Sequence, residues 1–111
     1  EEILDYEEVD PAMAAKGDLF ALRVKGDSME PRIREGDVII CAETPCVESG
    51  TVAVVLVNGN EATVKKVVKH KEGLSLVAFN PAYSPMFYTN EECETLPVRI
   101  VGRVIELRGK F

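Results

Sequence analysis

Short runs of Val, Ile, Leu and Phe recur between turn-forming residues along most of the chain: Leu19 to Lys25, Val38 to Cys41, Thr51 to Val57, Ala62 to Val68, Leu74 to Phe79 and Val98 to Leu107. Runs of this length, rich in β-branched residues and bounded by Gly, Pro, Asn and Asp, predict strands rather than helices. The expected fold class is therefore all-β, a compact and mostly antiparallel arrangement. There is no internal repeat, no heptad pattern and no amphipathic segment of helix length. Glu30 to Glu35, behind Pro31, predicts at most a short helical turn. Residues 1–18 show little hydrophobic periodicity and contain Asp10-Pro11 and Lys16-Gly17-Asp18, so they read as an acidic arm or linker entering a domain over residues 19–111.

The sharpest local signal is Val57-Asn58-Gly59-Asn60. Asn-Gly supplies both positive φ values of a type I′ turn, which predicts a β-hairpin between the two apolar runs on either side. With a two-residue loop, Val57 faces Asn60, and Lys65 lies opposite Val52 and diagonal to Val54. A bulged loop shifts this register and brings Lys66 there instead. Hairpin geometry alone leaves the choice between these neighbouring lysines open.

At 111 residues, with 46% hydrophobic and 29% charged, the chain fits a single globular core and none of the disordered or fibrous classes. No apolar run approaches the roughly 20 residues that cross a bilayer, and the acidic start is unlike a signal peptide; a cytoplasmic protein with no membrane contact is expected. The net charge of −6 resides in residues 1–10, which carry six acids and no base; the remaining residues are neutral. A neutral body is poorly suited to grip phosphate backbones, so contact with DNA is expected to come from elsewhere. Cys41, Cys46 and Cys93 make an odd number, which argues for reduced thiols. With one histidine and no CxxC spacing, neither a metal site nor any other cofactor is expected.

Among candidate chemistries, a Ser/His/Asp triad has only His70 as base, in the charged, turn-like stretch Lys69-His70-Lys71-Glu72-Gly73, where a positive neighbourhood opposes the protonation a catalytic histidine must accept. Glu91-Glu92-Cys93-Glu94 offers no apolar neighbour to separate two carboxylate pKa values, and solvation explains it better. Gly26-Asp27-Ser28-Met29-Glu30-Pro31 differs in placing a serine in a glycine-led turn directly after an apolar strand. Such a turn can present a hydroxyl, although Ser28 as a plain turn cap satisfies the local features equally well. A lysine among valines loses the hydration that stabilises its ammonium form, and the neutral amine can take a serine proton. Its ordinary alternative is an exposed lysine whose stem covers apolar surface.

The sequence resembles the self-cleaving serine peptidase domain shared by LexA, lambdoid phage repressors and UmuD. The resemblance rests on Leu22 to Pro31 with Glu35-Gly36-Asp37-Val38-Ile39-Ile40, then Glu61-Ala62-Thr63-Val64-Lys65-Lys66-Val67, then Asn80-Pro81-Ala82-Tyr83-Ser84-Pro85, and finally Ile100 to Ile105. These pieces occur in the family's order over about Leu19 to Leu107. The resemblance implies Ser28 as nucleophile and selects Lys65, the first lysine after the Thr-Val pair, as general base. The backbone N–H groups of Asp27 and Ser28 are the expected oxyanion donors.

It further implies the C-terminal domain of a repressor that forms a homodimer, cuts an upstream bond of its own chain when induced by a RecA nucleoprotein filament, and reaches operator DNA only through an N-terminal domain absent from this sequence. The family's Ala-Gly or Cys-Gly cleavage pair is also absent. Ala14-Ala15-Lys16-Gly17 interrupts it and stands too near Ser28, so the chain resembles the cleaved fragment. Two other readings are a catalytically silent dimerisation module and a signal-peptidase-like protease, the latter lacking here its Gly-x-Pro-Gly-Asp segment and hydrophobic anchor.

Overall fold

The computed structural model describes residues 18–59 and 61–109 together with the backbone of residues 4–7. The strands are β1 (Leu4–Glu7), β2 (Leu19–Val24), β3 (Val38–Glu43), β4 (Thr51–Val57), β5 (Glu61–Lys69), β6 (Gly73–Val77), β7 (Met86–Thr89) and β8 (Val98–Arg108), with one helix, α1 (Asn90–Thr95), before β8. They form one antiparallel sheet in the order β1-β2-β3-β8-β4-β5-β6-β7. The all-β expectation holds, and each of the apolar runs contains a strand.

The centre of the sheet is covered on both faces. Alternation along β4 sends Val54 to a cluster with Leu22, Val24, Met29, Ile33, Ile39, Cys41 and Val64, while Ala53 and Val55 join Val47, Val67, Leu76 and Val98 on the other side. This two-sided burial explains why β4 reads as an unbroken apolar run rather than an alternating one. β8 is inserted between β3 and β4 and is bulged against both, between Ile40 and Cys41 and between Val54 and Val55. Such bulges increase local twist and re-aim side chains. Beyond its pairing of Arg103 with Ala53, β8 continues against β3 alone.

One expectation is corrected. The Asn58 and Gly59 φ values are positive, 57° and 84°, as an Asn-Gly turn requires, but Val57 pairs with Glu61. Asn60 lies outside the described residues. The one-residue shift pairs Lys65 with Ala53 and Lys66 with Val52. A second hairpin joins β5 directly to β6 at His70-Lys71-Glu72. Within the stretch read as an arm, β1 pairs with β2; the remainder of residues 1–17, including Asp10-Pro11 and Ala14-Ala15-Lys16-Gly17, lies outside the described residues.

The regular helix is at α1, not at Glu30 to Glu35, where Arg32 N–H and Ile33 N–H close a single turn on the Met29 carbonyl. α1 starts from a capping box in which the Glu92 N–H donates to Thr89 Oγ1 and the Thr89 N–H donates to the Glu92 carboxylate.

Gly73 opens β6 beneath β7, where a Cβ would stand 2.1 Å from the Tyr88 carbonyl oxygen. Gly73→Ala must push β7 off the sheet edge. It is expected to lower stability by about 1–3 kcal/mol in urea unfolding and to speed amide exchange selectively over Met86–Thr89.

Candidate active site

The segment between β2 and β3 folds back on itself. The Val24 N–H donates to the Asp37 carbonyl at 2.9 Å and the Gly36 N–H to the Val24 carbonyl at 2.8 Å, closing the loop at its base. Gly26, with φ 90°, turns the chain at the loop's entrance, and its N–H donates to the Glu35 carboxylate. Met29 and Ile33 are buried in the cluster that also contains Val54 and Val64. Their burial anchors the loop against the β4–β5 hairpin and brings Ser28 beside Lys65.

Ser28 is 2% exposed and Lys65 5%. Lys65 Nζ lies 2.9 Å from Ser28 Oγ, 2.8 Å from Thr63 Oγ1 and 3.2 Å from the Val64 carbonyl oxygen. Alternation along β5 puts Lys65 on the face of Val67, whose cluster also contains Ala53. Its partner across the strand is Ala53, a side chain small enough to leave room for the lysine stem. Thr63, two residues back, shares the face of Lys65 and is itself buried. Lys66, paired with Val52, points to the opposite face and is half-buried.

These three acceptors match the three N–H bonds of an ammonium group. A neutral amine keeps two N–H bonds, sufficient for Thr63 and Val64, and turns its lone pair toward the Ser28 hydroxyl. One arrangement thus accommodates both protonation states, and loss of a proton reverses the direction of the Ser28–Lys65 hydrogen bond.

The rest of the loop is held from the segment that follows β6. The Asn80 side-chain amide donates to the Asp27 carbonyl at 3.0 Å, and the Asn80 N–H donates to the Ser28 carbonyl at 2.9 Å. Tyr83 Oη donates to the Asp27 carboxylate. Among the described residues, the N–H groups of Asp27 and Ser28 donate to no protein acceptor.

The other candidates lie apart from this cluster. His70, at the β5–β6 turn, shares a 2.9 Å hydrogen bond with Ser75 and meets the Phe87 ring edge-on. Glu91, Glu92 and Glu94 belong to exposed α1. Among the described residues no group of His, Cys, Asp and Glu could hold a metal ion, and no helix is long and apolar enough to cross a membrane. Sequence reasoning missed the contribution of Thr63, which alternation from Lys65 signals. It also missed the grip of Asn80 and Tyr83 on the loop, for which no local signal exists.

The β-domain thus buries a serine and a lysine in hydrogen-bond contact. The profile of the Peptidase S24-like family matches residues 1–105, and the chain belongs to this family. It is similar to the LexA repressor of Ruegeria sp. (strain TM1040), 36% identical over 86% of this chain and 38% of that protein. It is also similar to the LexA repressor of Syntrophobacter fumaroxidans (strain DSM 10017 / MPOB), 42% identical over 99% of this chain and 51% of that protein. The chain thus spans about half, or less, of the length of these curated relatives.

The cysteines separate by environment. Burial pushes the Cys41 thiol up from 9.0 to about 12, whereas Cys46 is exposed. Cys41 therefore keeps its proton in the folded state at pH values where the unfolded chain loses it. This contribution to stability is whole below pH 9 and is lost as pH rises from 9 toward about 12. Between pH 9 and 11 the urea midpoint is expected to fall further in the wild type than in Cys41→Ala, and iodoacetamide at pH 8 to modify Cys46 while sparing Cys41.

Proposed function

We propose that this chain is the C-terminal self-cleaving and dimerisation domain of a LexA-like or prophage repressor, a serine peptidase acting on an upstream peptide bond of its own polypeptide. The observation that carries the reading is the 2.9 Å contact between Lys65 Nζ and Ser28 Oγ, with both side chains buried. Neutral Lys65 takes the Ser28 proton as Oγ attacks the scissile carbonyl carbon. The resulting oxyanion is received by the Asp27 and Ser28 N–H groups, which no protein acceptor among the described residues occupies. Collapse of the tetrahedral intermediate breaks the C–N bond, Lys65 returns the proton to the leaving amine, and water then hydrolyses the acyl-serine with Lys65 again as base. Thr63 and the Val64 carbonyl hold the amine throughout.

In this reading residues 19–111 are the peptidase and dimerisation domain, a RecA nucleoprotein filament is the inducer, and operator DNA is bound by an N-terminal domain outside this sequence. The protein works in the cytoplasm as a homodimer. The surface best placed for the dimer contact is the end of β8, which runs past β4 and exposes Ile105 and Leu107, each at 41%.

In the full-length protein, self-cleavage is expected to accelerate as pH rises, because the base works only when deprotonated. Ser28→Ala is expected to abolish cleavage with fold and dimerisation intact. Lys65→Arg, which keeps the charge but cannot deprotonate in this range, is expected to be inactive, and Lys66→Arg active. A wild type that does not cut at any pH would identify a silent dimerisation module. Cleavage by Lys65→Arg but not by Lys66→Arg would move the base by one residue.

Sedimentation is expected to show a dimer at micromolar concentration. Ile105→Asp with Leu107→Asp should shift it to monomer, and an unchanged dimer would put the contact elsewhere.

A further inference from the structure

Asn80 touches neither Ser28 Oγ nor Lys65, yet it makes two hydrogen bonds to the nucleophile loop. Its side-chain amide holds the Asp27 carbonyl and its backbone N–H holds the Ser28 carbonyl. These carbonyls belong to the peptide planes immediately before and after the Ser28 Cα. The Asp27–Ser28 bond is trans, and in a planar trans amide the N–H points opposite to the C=O. A carbonyl fixed toward Asn80 therefore fixes the Ser28 N–H away from it. With both flanking planes held, Ser28 has little freedom in φ or ψ, and the Cα–Cβ bond that aims Oγ at Lys65 is fixed with them.

Asn80 is itself immobilised. Its Oδ1 accepts the Ala82 N–H at 2.9 Å and its carbonyl accepts the Tyr83 N–H at 3.1 Å. The side-chain oxygen is thus committed to a donor and the side-chain nitrogen to an acceptor, which permits only one orientation of the amide. Tyr83, at the far end of the same turn, holds the Asp27 carboxylate and leaves the neighbouring N–H groups clear of it.

We propose that Asn80 is a positioning residue for peptide hydrolysis, clamping the two peptide planes around Ser28 so that one residue sets both the direction of the nucleophile and the orientation of an oxyanion donor. Tyr83 reinforces the clamp through Asp27. This inference rests on the Ser28/Lys65 reading, and it assigns to the Asn80-Pro81-Ala82-Tyr83 turn a role in rate rather than in substrate binding.

The test uses full-length protein and two variants. Asn80→Ser keeps a side-chain oxygen able to accept the Ala82 N–H in an analogous turn but deletes the donor to Asp27, without adding charge. Tyr83→Phe removes one hydroxyl from an exposed ring and serves if Asn80→Ser does not fold. Two quantities are read: the pH profile of self-cleavage, and the rate at which a fluorophosphonate labels Ser28, a reaction that needs an aligned nucleophile and oxyanion donors but no upstream segment.

Asn80→Ser is expected to lower the alkaline plateau by about tenfold or more, to leave the midpoint pH where the wild type has it, and to slow labelling in step. Tyr83→Phe should do the same to a smaller extent. An unchanged plateau overturns the proposal. So does slower cleavage with normal labelling, which would assign Asn80 to docking of the cleaved segment, and so does a shifted midpoint, which would place the effect on Lys65. A wild type that neither cleaves nor labels instead sinks the Ser28/Lys65 reading itself, an outcome distinct from failure of the clamp alone.

Discussion

A primary amine at 5% exposure is the constraint around which this domain is organised. Burying an ammonium without partners is among the costliest things a fold can do, so the surroundings of Lys65 must either satisfy its hydrogens or favour its neutral form. Its hydrogens are met by three oxygens. Ala53 leaves room across the hairpin, Thr63 and the Val64 carbonyl come from the lysine's own strand, and Ser28 arrives from a loop 37 residues away. The last contact is the only long-range one of the three, and it explains why the loop is so heavily anchored. Met29 and Ile33 fill the apolar cluster, the loop's base is closed on Val24, and Asn80 holds its outer side.

What could be read from the residues follows the range of the interactions involved. The strands were legible because apolar runs between turn signals reflect two-sided burial of the sheet, a property each run carries alone. Ser28 and Lys65 were legible as candidates for a related reason, since a glycine-led serine turn and a lysine among valines are local features. The choice of Lys65 over Lys66 came only with the family resemblance. The register was not legible. Asn58 and Gly59 adopt the positive φ values their types favour, but whether Asn60 belongs to the loop or the strand is decided by pairing partners, and a shift of one residue moves a whole strand face.

The edge strands β1 and β7 are four residues each, too short for a periodicity to show. α1 was available from Thr89-Asn90-Glu91-Glu92, the threonine-to-glutamate spacing of a capping box, but the acids drew attention as candidate carboxylates and their helical role went unread. The bonds from Asn80 and Tyr83 to Asp27 span 53 and 56 residues. Nothing near either end announces them, although the resemblance did mark the turn that provides them.

On the proposed reading, the placement of Lys65 also bears on how such a domain would carry a self-cleaving activity without exercising it continually. With the amine protonated, its three N–H bonds are matched by three oxygens, and the one aimed at Ser28 occupies the hydroxyl's acceptor side. No lone pair is then available to take the serine proton. The protonated arrangement is well satisfied by ordinary hydrogen bonding and cannot act as a base. Removal of a proton leaves the heavy atoms where they are, reverses the Ser28–Lys65 hydrogen bond and turns the cluster into a base beside a nucleophile. Control can therefore act in two ways: by shifting the protonation equilibrium of one buried amine, or by delivering the bond to be cut. Neither requires the eight-stranded sheet to rearrange, which suits a site whose nucleophile loop is anchored through Met29 and Ile33 in the same apolar cluster as Val64.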